Sequence, residues 1–258
     1  MATTPAGGET TGAPRWGGTA LLRPGALAFT GSIGVTDVHA HHAVQIMTAT
    51  APFTVRDKHG KGHRGMKVVV PADAPHRIEV GAQEGTVVFF EPESAPGRSA
   101  HRRAVQSGWT VAPVLTPTRR RTLAAVVDDL VEHLAPALTT DEATPRHPAV
   151  DDALRLLPSL VAAGPVSGTD LATQVGLSVS RLTHLFTDQV GIPLRRYVLW
   201  SRLRLAVMRV QAGDDLTGAA HGAGFSDSAH LTRTTREMFG LPPSVLSRHV
   251  SWDLDADL

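Results

Sequence analysis

The chemistry-bearing residues of this chain fall into two groups. Three histidines, His39, His41 and His42, crowd into GVTDVHAHHAVQ, and His76 closes VVVPADAPH after a turn bracketed by Pro71 and Pro75. Neutral imidazoles ligate transition metals, move protons and line polar ligand sites. Side chains alternate along a strand, so a regular strand turns His39 and His41 to one face and His42 to the other. The second group is a pair of short runs, SRLTHLFT from Ser180 and SAHLTRTTR from Ser228. In both, hydroxyls, imidazoles and guanidinium groups interleave with apolar residues. Such groups on one exposed helix face hydrogen-bond to base edges and phosphates.

The first run is positioned by the stretch from Gly168 to Val190. Leu171, Ala172 and Val175 form one apolar face at helical spacing. Gly176 interrupts it, where the backbone needs a conformation only glycine adopts cheaply. Ser178 is an N-cap for a second helix that buries Leu182, Leu185 and Phe186. Ala172 is small where the two helices cross. This is the pattern of a helix-turn-helix, whose second helix enters the DNA major groove. Taken alone, an ordinary helical hairpin explains it equally well. A second copy shifts the balance. From Leu216 the chain repeats the plan, with Ala220 at the crossing, Gly224 in the turn, Phe225 inward, and Ser226 or Asp227 capping a helix through Phe239. A helix opened by Pro193, striped by Leu199, Leu203, Ala206 and Val210 and ended by Gly213 joins the copies.

Two such units on one long helix resemble the DNA-binding domain of the AraC/XylS family of transcriptional regulators, over about Pro148 to Arg248. The segments GLSVSRLTHLF, RLRLA, GFSDSAHLTR and FGLPPS carry the resemblance. It implies that bases are read from Ser180, Thr183, His184 and Thr187 in the first unit and from Ser228, Ala229, Thr232 and Arg233 in the second. Arg233 is the sharpest expectation, because a guanidinium bonds two acceptors of guanine. Arg181 either packs locally or joins the interface. His230 and Arg236 suit phosphate contacts. The expected partner is double-stranded DNA, with contact to RNA polymerase left open. The second unit departs from the family: its turn is one residue longer, and Leu231 and Thr235 stand where Phe is usual. Gly218 and Gly222 lie within its first helix, each costing about 1 kcal/mol relative to Ala, so this unit is expected to be the less stable.

The elements that position these groups follow from composition. A length of 258 residues suits one large domain or two modest ones. The absence of cysteine rules out disulfides and thiolate metal sites and fits a reducing compartment. No apolar run is long enough to span a membrane, and no signal-peptide layout opens the chain, so a cytoplasmic protein is expected. Formal net charge is +1, and residues 145–248 hold 11 Arg against 8 Asp and Glu. Phosphate contacts must therefore be local rather than the effect of a general basic field. Residues 1–18 predict a disordered tail. Residues 19–117 carry short β-rich runs at Ala26–Phe29, Ala43–Thr48, Phe53–Arg56, Lys67–Val70, Arg77–Val80 and Thr86–Phe90, with HGKGHRG, which includes His63, as a hairpin loop. That pattern points to a sandwich or small barrel. Residues 118–147 hold an amphipathic helix, Arg119 to Leu134, and a polar linker. Its stripe of Leu123, Val126, Val127, Leu130, Val131 and Leu134 packs either on the β-domain or on a copy of itself in a homodimer. Residues 148–250 form the helical domain.

The β-rich region resembles the two motifs of the cupin fold. Carried over by position, the metal set is His39, His41, Gln45 and His76. Gln45 stands where metal-binding cupins usually place Glu, and a neutral amide weakens binding of a hard divalent ion. Asp73 stands where the turn usually has Gly. Three roles stay open for the imidazoles: structural or ligand-contacting polar residues in a sensory barrel, a structural or sensory metal site, and a catalytic metal centre. For the last, no substrate-orienting set can be named. The expectation is a multidomain α and β chain, with a cupin-like β-barrel (jelly roll) before an all-α domain of two helix-turn-helix units. Its expected function is sequence-specific DNA-binding transcriptional regulation, without enzymatic activity or a resident cofactor, modulated by an unidentified small effector or by dimerisation. The alternative is a cupin metalloenzyme with a helical appendage.

Overall fold

The structure is a computed structural model, described here over residues 15–110, 122–134 and 146–252. Six strands come first: β1 (Gly17–Arg23), β2 (Ala26–Ile33), β3 (Val44–Asp57), β4 (Gly62–Val70), β5 (His76–Val80) and β6 (Ala82–Phe90). Two helices follow, α1 (Ala95–Ser107) and α2 (Leu123–Leu134). The helical half comprises α3 (Pro148–Ala163), α4 (Gly168–Gln174), α5 (Val179–Val190), α6 (Leu194–Gln211), α7 (Leu216–Gly222), α8 (Ser228–Phe239) and α9 (Pro243–His249). The chain then returns to the sheet as β7 (Val250–Trp252), parallel to β1.

The strand order is β4-β3-β6-β2-β1-β7, with β5 also paired to β3. Two runs expected as separate strands are one strand, β3, whose pairing with β4 shifts between Thr48 and Phe53. Its first half pairs with β6 and its second with β5. The described sheet is jelly-roll-like but not a closed barrel. Gly17 and Gly18, expected in the tail, already pair with Ser32 and Gly31; the rest of that expectation lies largely outside the described residues. The polar linker and the start of the expected Arg119 helix also lie outside them.

Period-two alternation gives the sheet two apolar faces. Leu21, Ala28, Ile46, Val69 and Val88 face α1 and α2. Ala20, Phe29, Met47, Val68, Val70 and Val87 face an interior shared with Phe53, Val55 and Ile78. The stripe on α2 is part of the first core: Val127, Leu130 and Leu134 are buried with Phe90 and Ala104. The helix therefore packs on the β-domain through this face, which leaves Val131 of the expected stripe exposed.

In the helical half, α4–α5 and α7–α8 are the two helix-turn-helix units. Gly176 and Gly224 take φ of +70° and +80° in the turns. The second turn, residues 223–227, is one residue longer than the first, 175–178. Between the units, α6 gives Tyr197 to the first core and Trp200, Leu203 and Ala206 to the second. The second core extends onto the sheet through Ala43 and Phe89. Arg204 on α6 pairs with Glu91 just after β6, and Arg196 donates to the Ala40 carbonyl at 3.0 Å.

Candidate nucleic-acid interface and histidine cluster

On α5, Ser180, Arg181, Thr183, His184 and Thr187 are all exposed, while Leu182, Leu185 and Phe186 are buried. On α8, Ala229, Arg233 and Arg236 are exposed, Ser228, His230 and Thr232 half-buried, and Leu231 buried. Both helices begin with side-chain caps. Ser178 Oγ accepts from the Arg181 amide at 3.3 Å, and Asp227 Oδ1 accepts from the His230 amide at 2.6 Å. That bond also holds the Asp227 carboxyl below its ordinary range. The caps fix the first turn, the part of a recognition helix that approaches bases. The hydroxyls of Thr183, Thr187 and Thr232 each donate at 2.8 Å to the carbonyl one turn back. Their protons are committed and their lone pairs are not, so these threonines present acceptors rather than donors to an outside group. The His230 ring packs edge-on against Phe225 at 5.1 Å, with Nδ1 3.3 Å from Ser226 Oγ. It is held by its own unit rather than extended.

The expected histidine set comes together. His39, His41 and His76 are buried, and each offers a ring nitrogen within 4.8 Å of the others'. His39 and His41 do not sit in a named strand: His39 makes an isolated bridge to His76. The alternation expected of a strand nevertheless holds, since His42 points away. Each Nδ1–H of the trio donates to a backbone carbonyl: His39 to Asp37 at 2.8 Å, His41 to Ala43 at 3.0 Å and His76 to Ala74 at 2.8 Å. Carbonyls only accept, so these bonds set the tautomer and leave Nε2 as a lone pair in all three rings. The Oε1 position of Gln45 lies between two of those lone pairs, 3.2 Å from His41 Nε2 and 2.9 Å from His76 Nε2. Two acceptors require a donor, so we assign the amide's NH₂ end to that position in the metal-free protein. Burial lowers the His39 pKa to about 4 and, with the His39 ring alongside, that of His41 to about 3; His76 is likewise pushed well down by burial. The trio is neutral at neutral pH.

His42 is the opposite case. Burial by itself would lower its pKa, but hydrogen bonds to Asp73 at 2.9 Å and Glu93 at 2.6 Å, together with their charges, raise it to about 9. Asp73 adopts φ +62°, which accounts for the Gly expected there. His63 does not join the trio. It lies in β4 rather than in the expected hairpin loop, is buried, stacks on Trp109 with centroids 4.4 Å apart and bonds Asp57 at 3.0 Å.

Residues 171–249 match the family described as "Helix-turn-helix domain". Over 80 residues the chain is 38% identical to the HTH-type transcriptional activator RhaS of Pectobacterium atrosepticum, covering 31% of this chain and 28% of that relative. The chain carries a helix-turn-helix domain similar to that of AraC-type regulators. A transcriptional regulator from Chromobacterium violaceum described as AraC-type is 28% identical over 38% of this chain and 87% of its own, at TM-score 0.36. The crystal structure of ToxT from Vibrio cholerae O395 shares the fold over 86% of this chain and 96% of its own, at TM-score 0.53 and 9% identity.

Within this helix-turn-helix domain the second unit's departures have structural reasons. Leu231 and Thr235 are both buried, and the Thr235 hydroxyl donates to the Leu231 carbonyl at 2.8 Å, so the polar replacement for an aromatic residue is satisfied inside its own helix. Gly222 lets the Arg209 guanidinium pack on α7: a Cβ there would lie 2.1 Å from Nε. Sequence reasoning missed the contact of α8 with the histidine loop. Phe239, the last residue of α8, lies 6.1 Å from the His41 ring and 5.6 Å from Phe89.

Proposed function

We propose that this protein is a sequence-specific DNA-binding transcriptional regulator, acting in the cytoplasm, whose sheet domain modulates the helical one in response to a small effector. The observation that carries this reading is the pair of capped helices, α5 and α8, with exposed polar faces at two places on one continuous helix, α6. Because Val127, Leu130 and Leu134 of the α2 stripe are core, we take a single chain with both units as the binding species. Footprinting with the purified full chain on fragments of its own genome tests the proposal. Protection of discrete sites over random sequence is the expected result, and affinity equal for all DNA would overturn it.

A divalent metal fits the histidine cluster in donor type and tautomer. His39, His41 and His76 would hold it through Nε2, with the Gln45 amide oxygen as a neutral fourth donor. Such an ion would add positive charge beneath the end of α8. The donor set is wholly neutral, three imidazoles and an amide, and we assign the cluster a sensory or structural role rather than a catalytic one.

A further inference from the structure

Three apolar cavities meet at Val207 on α6 and Phe239 at the end of α8, in the seam between the sheet and the second helix-turn-helix unit. The one beside the histidines is a small cavity of about 60 Å³ that opens to solvent. Trp16, Phe29, Ile78, Phe89, Phe239 and Trp252 make its walls, and polar groups gather at one end, at Thr36, His39 and Gln45. No Lys, Arg, Asp or Glu lines it. Protein interiors are packed about as densely as organic crystals, so unfilled spaces converging on two residues mark a core left incomplete at a domain seam.

We propose that this cavity binds a small neutral aromatic molecule carrying one hydroxyl group, which completes the core between the sheet and α8. The walls select the class. Two indoles and three phenyl rings among the lining side chains favour an aromatic ring. A carboxylate or phosphate would lose its hydration with no cation to pair with, a cost of several kcal/mol. The polar end selects the hydroxyl. His39 spends its Nδ1–H on the Asp37 carbonyl and keeps a lone pair on Nε2. Thr36 Oγ1 accepts from the Ile78 amide at 2.8 Å and keeps its own proton to donate. A ligand O–H matches both groups, donating to His39 and accepting from Thr36. The ligand's far wall is the last residue of α8, so occupancy and DNA affinity are thermodynamically linked. Only this consequence rests on the regulator reading, because binding is measured without DNA.

The test is titration of the full chain, treated with chelator, with 4-butylphenol, butylbenzene and 4-butylbenzoate at pH 7, read by tryptophan fluorescence and calorimetry. The phenol should bind saturably at one per chain, with the hydrocarbon and the benzoate each weaker by roughly ten-fold or more. Val207→Phe fills the cavity from α6 and Ala20→Leu fills it from β1. Whichever of them keeps the wild-type melting profile should lose phenol binding at least ten-fold. Benzoate binding as tightly as the phenol, saturable binding by none of the three probes, or unchanged phenol binding in a folded filled-cavity variant would each overturn the proposal.

Discussion

The amide of Asp37 donates to the carbonyl of Gly240 at 3.2 Å, and the amide of Ala40 donates to the carbonyl of Glu237 at the same distance. A helix cannot satisfy its last carbonyls from within. The loop carrying the histidines supplies donors at the end of α8, so the second recognition helix is finished by the sheet domain.

That relationship predicts different costs at two equivalent glycines. Gly191 and Gly240 both end recognition helices with positive φ, +91° and +67°. A Cβ on Gly191 meets nothing within 4 Å, whereas on Gly240 it would lie 2.6 Å from the Asp37 carbonyl oxygen and 2.7 Å from His39 Nδ1. Gly191→Ala should cost about 1–2 kcal/mol, the left-handed strain alone. Gly240→Ala should cost clearly more in urea unfolding and should change amide exchange at Asp37 and Ala40. Equal costs would mean that α8 is not docked on the histidine loop in solution.

Gln45→Glu should raise affinity for divalent zinc or manganese by about 10–100-fold, since it restores a charged oxygen beside three imidazole lone pairs. Calorimetry on chelator-treated protein measures it. Combining His76→Ala with Gln45→Glu should abolish the gain. If the gain persists without His76, the ion sits elsewhere.

Stability of the metal-free protein should fall on both sides of about pH 6.5, for different histidines. His42 has a folded pKa of about 9, above its ordinary 6.5. Its contribution is complete below pH 6.5 and lost as pH rises through 9, because the unfolded chain releases that proton first. His39 and His41, at about 4 and 3, act on the acid side. There the unfolded chain takes up protons that the folded one refuses, so stability falls as pH drops from 6.5 toward 4. Urea midpoints across pH 5–9 should show both limbs, and His42→Gln should flatten the alkaline limb alone.

Placing a glutamate at Val127 or Leu130 should unfold or strongly destabilise the chain rather than lower its sedimentation mass. Both side chains are at most 4% exposed in the core beneath β1 and β2, and an unpaired buried carboxylate costs several kcal/mol. Folded variants of reduced mass would restore the dimer reading of α2.

The helical half was legible because its signals are local. Ser178, Gly176 and the Leu182–Leu185–Phe186 stripe each announce themselves within a turn of helix. In contrast, α1 escaped notice because its buried face is Pro96, Gly97, Ser99, Ala100 and Ala104, small residues without an apolar stripe. The continuity of β3 was hidden by the register shift after Thr48. The residues of the histidine set were readable from HAHH and the later His76, but their tautomers were not. Those depend on the carbonyls of Asp37, Ala43 and Ala74, and backbone oxygens carry no sequence signature. The seam between Phe239 and Phe89 joins residues 150 apart in the chain, which no periodicity could reveal.

Recognition geometry gives the last prediction. With 18 residues, α6 spans about 27 Å at 1.5 Å per residue. Successive major-groove openings on one face lie about 34 Å apart. Units packed toward opposite ends of α6 can enter adjacent turns of one duplex, so one chain should protect an asymmetric site with two contact segments about 10 bp apart. Arg233 is exposed on α8, and Arg233→Ala should cost about 1–3 kcal/mol and relax preference at one base pair of the second segment. Ser180→Ala and His184→Ala should act on the first segment only. Arg236→Ala should weaken all sequences alike and reduce the salt slope by about one, as loss of a phosphate contact does. Footprints of each variant on base-substituted sites separate these outcomes. Uniform weakening by Arg233→Ala would make that residue a phosphate contact. If Ser180 and Arg233 variants altered the same segment, the two units would not lie in successive grooves.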